Sequence, residues 1–319
     1  MKFRIAFGLA LGSLFLGSTV LAQRTIKRHT RASPPTFQPK DFAGVFFPDA
    51  LSQLQGELPD TQSALAGTDN KTMNSGMGGG SGTALSASQG NSVWKSLISA
   101  STIEDIVKES KSRLDGTLTT PAKFAGGGVA DARREFTLLA TTMAVISQYP
   151  EEIRWQPSAA YAQKIFAKVS ANCKIGSQPV FNEAKLRHQD LQSILKGTKI
   201  AGNADEVTWA DTADRGPSMK ILDWALRENL APITNNAAKF GENQEDVLKY
   251  AELIAMFSQV IVQPGMTDAD DQQYVEYAAI MTKAAHDVSK AVRTKDPELA
   301  RTAVGRIDQA CNKCHETYK

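Results

Sequence analysis

Residues 297–319, PELARTAVGRIDQACNKCHETYK, close this chain of 319 residues and decide how the rest is read. Ala300, Val304, Ile307, Cys311, Cys314 and Tyr318 recur at alternating three- and four-residue steps, the mark of an amphipathic helix. That helix ends in Cys311-Asn312-Lys313-Cys314-His315. C-x-x-C-H is the covalent attachment signature of a c-type haem. Two thiols one helical turn apart can add to the two vinyl groups of one porphyrin, and the adjacent imidazole can ligate the iron as its proximal ligand. The competing readings are a redox disulfide and half of a zinc site. Zinc needs further Cys or His at ligand spacing, and only Cys173, His29, His188 and His286 remain, all isolated. A thioredoxin-like C-x-x-C would lie near a βαβ pattern, which this sequence lacks.

Three similar stripes precede the motif. They are Met219, Leu222, Leu226, Leu230 and Ile233; then Val247, Tyr250, Ile254, Phe257 and Ile261; then Tyr274, Tyr277, Met281, Ala284, Val288 and Ala291. Gly241, Pro264-Gly265 and Asp296-Pro297 break the pattern between them, and Pro232 predicts a kink near the end of the first. Four amphipathic helices with short connections predict an antiparallel four-helix bundle over 217–319. Residues 92–197 repeat the order. Phe136, Leu139, Met143 and Ile146 mark one helix there, Tyr161, Ile165 and Val169 another, and Pro179 opens the last as Pro297 does. Aligning these prolines sets Ser193, Lys196 and Gly197 on Cys311, Cys314 and His315. The expected fold class is therefore all-α: two tandem four-helix bundles, the first haemless, joined by a linker at 198–216.

The start of the chain is of another kind. Lys2 and Arg4 precede an apolar run from Ile5 to Leu16, and Val20-Leu21-Ala22 offers small residues for cleavage after Ala22. This reads as a secretory signal peptide over 1–22, its apolar run shorter than the ~20 residues of a membrane span. Residues 23–91 read as a disordered linker, basic at first (Arg24, Lys27, Arg28, Arg31) and then rich in Gly and Ser. Export to the periplasm or beyond is expected, with no membrane span after cleavage. Formal charge is +2, and removing Lys2 and Arg4 leaves a neutral chain, so nothing points to nucleic acid. With two of three cysteines assigned to haem, Cys173 reads as a packing residue at a helix end.

The bundle with C-x-x-C-H on its last helix resembles cytochrome c′, since most other c-type cytochromes carry the motif near the domain start. The resemblance covers 217–319. It implies one covalent haem c per chain held by Cys311 and Cys314, with His315 as axial iron ligand and Lys319 near the proximal face. That family often has Arg where this chain has Lys319, and a point charge does not replace a planar fork. The resemblance also implies a distal face formed by the first helix, which offers Met219, Leu222 and Leu226, and makes a homodimer plausible.

The leading functional expectation is an exported carrier of single electrons that meets redox partner proteins. A second is binding of nitric oxide or carbon monoxide at a five-coordinate iron, for scavenging or sensing. A third makes the haemless copy a partner-docking module. No catalytic triad, phosphate loop or second metal cluster is readable, so no enzyme activity is expected. His286 reads as a surface residue, and Lys220 or Arg227 as cations that can pair a haem propionate.

Overall fold

Eight principal helices and no strand make up the described residues, 93–203 and 207–318, of the computed structural model. The expected leader over 1–22, the expected linker over 23–91 and Lys319 lie outside them. The first four helices are α1 (Ala100–Thr117), α2 (Val129–Ser147), α3 (Gln156–Asn172) and α4 (Gln178–Leu195). The second four begin with α5 (Arg215–Asp223), prolonged by a π-helical stretch (Trp224–Leu230) and a last turn (Ala231–Thr234). They continue with α6 (Gln244–Val260), α7 (Gln272–Thr294) and α8 (Pro297–Thr317). No helix among the described residues is long and apolar enough to cross a membrane.

Local chemistry sets the helix starts. The Asp271 side chain accepts from the amides of Gln273 (2.8 Å) and Tyr274 (3.3 Å), and Ser99 caps α1 through Thr102 N–H. Asp296 caps α8 through Glu298 and Leu299, with Pro297 in the first turn, where its missing N–H costs nothing. Lys295, at φ 53°, ends α7 in the left-handed conformation. The α7–α8 connection is thus two residues long and lays the two helices side by side.

Two helices are buried nearly all round. On α2, every residue from Glu135 to Ile146 is buried, and on α6 so is every residue from Leu253 to Ser258. A helix in a free four-helix bundle keeps an outward polar face. Here α2 packs on α3, α1 and also α5, while α6 packs on α7 and also meets α1 and α5, so both are covered from two sides. The described residues accordingly form one compact unit containing both helix sets. Ser99 and Glu252 join the sets through Oγ to Oε2 at 2.8 Å, as does Lys249 Nζ to Glu109 Oε1 at 2.6 Å. The expected linker over 198–216 holds a short helix, Trp209–Thr212, whose Trp209 ring lies 5.3 Å from Trp94, and α5 begins within it at Arg215.

The internal alignment shifts by one residue. Phe181, Ala184, His188 and Leu191 face the core on α4, and Ala300, Ala303, Ile307 and Ala310 do so on α8. Matching these faces sets Gln192, Leu195 and Lys196, rather than Ser193, Lys196 and Gly197, opposite Cys311, Cys314 and His315. Proline fixes where a helix starts, whereas packing fixes which face turns inward, and the two differ here by one step. Under either alignment α4 has no thiol or imidazole at the three positions.

Candidate functional site

The C-terminal half of α8 carries the motif, and its stripe determines how each member sits. Ala303, Ile307, Ala310 and Cys314 line the buried face. Cys314 is 7% exposed, Cys311 half-buried and His315 exposed. Cys311 and Cys314 both stand as free thiols, the form that adds to a vinyl group. The Cys311 thiol donates to Met281 Sδ of α7 at 3.5 Å. Burial, and then the nearby Asp308 carboxylate, push its pKa up to about 11; burial raises that of Cys314 as well. Among the described residues no three His, Cys, Asp or Glu side chains converge to hold a metal ion.

Facing the motif across a cavity of about 60 Å³ are Met219, Leu222 and Leu226. The structure thus brings together the three residues expected on the distal side and the three expected to hold haem. Ile261, after α6, and Met281 complete the apolar wall, and Asp223 and Arg227 form its rim. Met281 and Ile261 were legible as stripe residues, but their place in the site depends on how α6 and α7 turn. His286, expected at the surface, is half-buried and does not line the cavity.

The helix opposite the motif has an unusual backbone. Pro232 has no N–H to give to Glu228, and the turn before it widens so that the Ala231 N–H reaches Leu226 C=O, five residues back. The predicted kink is therefore a π-helical stretch over Trp224–Leu230. Such wide turns recur at functional sites, and this one carries Leu226 and Arg227 to the cavity. The Arg227 guanidinium joins the two walls, reaching Asp223 (2.8 Å) on its own helix and Asp308 (2.9 Å) and Asn312 (3.4 Å) on α8.

Trp224, in the same stretch, is gripped by the other helix set. Its ring lies 5.0 Å from the Arg113 guanidinium of α1 and 5.3 Å from that of Arg134 of α2, and meets Tyr250 edge-on at 5.6 Å. Both arginines hold the fully buried Glu135 carboxylate, at 3.0 and 3.1 Å. The sequence Asp131-Ala132-Arg133-Arg134-Glu135 resembles a solvated face. Glu135 is nevertheless fully buried, its carboxylate paired with Arg113 of α1 and with Arg134.

At the end of α8, Tyr318 stacks edge-on against Tyr274 at 5.2 Å, and Arg215 takes its carbonyl oxygen at 2.7 Å. Arg215 also pairs with Asp268 and lies 5.3 Å over the Tyr274 ring. These contacts pin the chain end beside Cys314. Lys319, expected on the proximal side, lies outside the described residues.

The donor set fits a covalent haem c: two free thiols one turn apart, an imidazole beside them, and an apolar wall opposite.

A family model described as Cytochrome C' matches residues 268–319, the span from Asp268 through α7 and α8 to the chain end. No curated protein and no solved structure matches the chain. The match shows the resemblance to cytochrome c′ over this C-terminal segment and supports a c-type cytochrome with covalently bound haem c.

Proposed function

We propose that the chain, with that C-terminal segment as its redox module, is an exported carrier of single electrons with one haem c. The observation that carries this reading is the placement of Cys311, Cys314 and His315 on one end of α8, opposite Leu222 and Leu226. Cys311 and Cys314 would hold the haem through thioether bonds, and His315 would be its protein ligand. When bound, the haem supplies one-electron chemistry, with its potential set by axial ligation, burial and neighbouring hydrogen bonds.

The chain's own residues do the rest. Met219, Leu222, Leu226, Ile261 and Met281 line the cavity and would keep water away from a bound haem. His315 is exposed and Cys311 half-buried, so a haem held by them would be within reach of a partner protein at the surface. Arg227 supplies a fixed positive charge at the rim. In this reading residues 1–22 direct export, haem attachment follows outside the cytoplasm, and the partners are other redox proteins. The chain performs no catalysis of its own.

Binding of nitric oxide or carbon monoxide is a second reading, favoured by the aliphatic Leu222 and Leu226 opposite the motif, which cannot ligate iron. Met219, half-buried on the same wall, is the residue that separates the two. Ferric and ferrous spectra of wild type and Met219→Ala test them. A low-spin spectrum that turns high-spin on substitution supports Met219 ligation and electron transfer alone. A high-spin spectrum unchanged by the substitution, with carbon monoxide binding to the reduced protein, supports gas binding. A mature chain that carries no covalent haem overturns both.

A further inference from the structure

A second, larger cavity lies on the other flank of α5. Its volume is about 630 Å³, within the usual range for small-molecule sites. It opens where the start of α2, the end of α3 and the start of α5 meet, and so between the two helix sets. Arg133, Arg134, Lys174, Arg215 and Lys220 line it against a single carboxylate, Asp214. Charge of this kind in a concave surface concentrates anions.

The cations are not all spent on local partners. Arg134 is held by Glu135 and Asp131, and Arg215 by Asp268. Arg133 reaches Asp214 at 2.8 Å across the cleft, yet its Nε is buried with no hydrogen-bond partner. Lys174 and Lys220 have no carboxylate within ion-pair distance among the described residues. The first turn of α5 faces the same space. Asp214 stands at its N-cap but its side chain caps nothing, and a Cβ added to Gly216 would meet no atom within 4 Å. A nine-residue helix therefore presents the positive end of its dipole, uncapped by a side chain, to an open basic cleft.

We propose that this cleft is a binding site for a small phosphate polyanion. The Arg133 guanidinium and the Gly216 amide suit a tetrahedral oxyanion, and lysine supplies point charge at its edge. The ligand bridges the two helix sets, with Arg133 and Lys174 on one side and Arg215 and Lys220 on the other. Nothing in the proposal depends on haem, since Lys220 faces this cleft while Met219 and Leu222 face the other cavity.

The test is calorimetric titration of the full mature chain with inorganic pyrophosphate, beside citrate as a polyanion without phosphate. The expected result is saturable one-to-one binding that weakens about tenfold or more in Lys174→Ala/Lys220→Ala. Both lysines are exposed, and unchanged circular dichroism establishes that this variant folds. Citrate should bind at least several-fold more weakly. Absence of saturable pyrophosphate binding, or binding unaffected by the double substitution, overturns the site. Citrate binding as tight as pyrophosphate overturns its assignment to phosphate.

Discussion

Replacing Trp224 by Leu removes the contact through which the first helix set grips the helix facing the haem motif. Leucine keeps apolar volume but has no ring to face Arg113 at 5.0 Å and Arg134 at 5.3 Å, or Tyr250 at 5.6 Å. A partly exposed cation–π contact contributes about 0.5–1 kcal/mol, and an aromatic pair about 0.5–1.5 kcal/mol beyond its area. The three share one ring and are not additive, so the expected loss is about 2 kcal/mol. For a domain of this size that lowers Tm by roughly 4–8 °C. Thermal unfolding followed by circular dichroism measures it, and a cycle with Arg113→Met isolates the pairwise part. Because Leu222 and Leu226 flank Trp224 on the same helix, the substitution should also shift the absorption spectrum of haem-loaded protein. A Tm within 2 °C of wild type would refute the clamp. A large fall in Tm with an unchanged spectrum would refute its link to the haem site.

Glu135→Gln should cost about 2 kcal/mol, because it removes the buried charge that pairs with Arg113 and strengthens the hydrogen bonds from Arg134. That cost should change little between 0.05 and 0.5 M salt in urea unfolding, since the carboxylate is fully buried. Mass spectrometry of protein made with a haem-attachment system should show one haem on wild type and none on Cys311→Ser/Cys314→Ser; an unmodified wild type would be decisive against attachment. Burial pushes the Cys173 thiol up to about 12, so its stabilising effect is complete below its unfolded value near 9. It is lost by roughly 1.4 kcal/mol per pH unit from there toward 12. Cys173→Ala should lessen that alkaline loss, and Cys173 should resist alkylation at pH 8.5 until the chain unfolds. Burial holds the His188 imidazole below its usual pKa despite Asp115 Oδ1 at 2.9 Å. The unfolded chain therefore takes up the proton first, and stability falls as pH drops below about 6.5. Removing the imidazole in His188→Leu should flatten urea midpoints between pH 7 and 5; an unchanged slope would show that His188 is not responsible.

The stripes, the breakers and the nine-residue ending were enough to place α5 to α8 and to put Cys311, Cys314 and His315 on the last helix. These signals are local, because a 3.6-residue period and a capping Asp or Pro act within one or two turns. A motif that rests on local spacing, such as C-x-x-C-H, is legible in the sequence itself. Tertiary structure decided what each face meets. It covered α2 and α6 from two sides, although their stripes fit helices in two separate bundles. It buried Glu135 within an apparently solvated run of charge and set Trp224 between two arginines distant in sequence. It shifted the α4–α8 match by one residue from the prolines that start them, and made a π-helix of the expected kink at Pro232. It also gathered five cations from α2, α3 and α5 around one cleft. Each of these depends on contacts between residues far apart in the chain, whose register is fixed by side-chain packing across helices, and no local period carries that information.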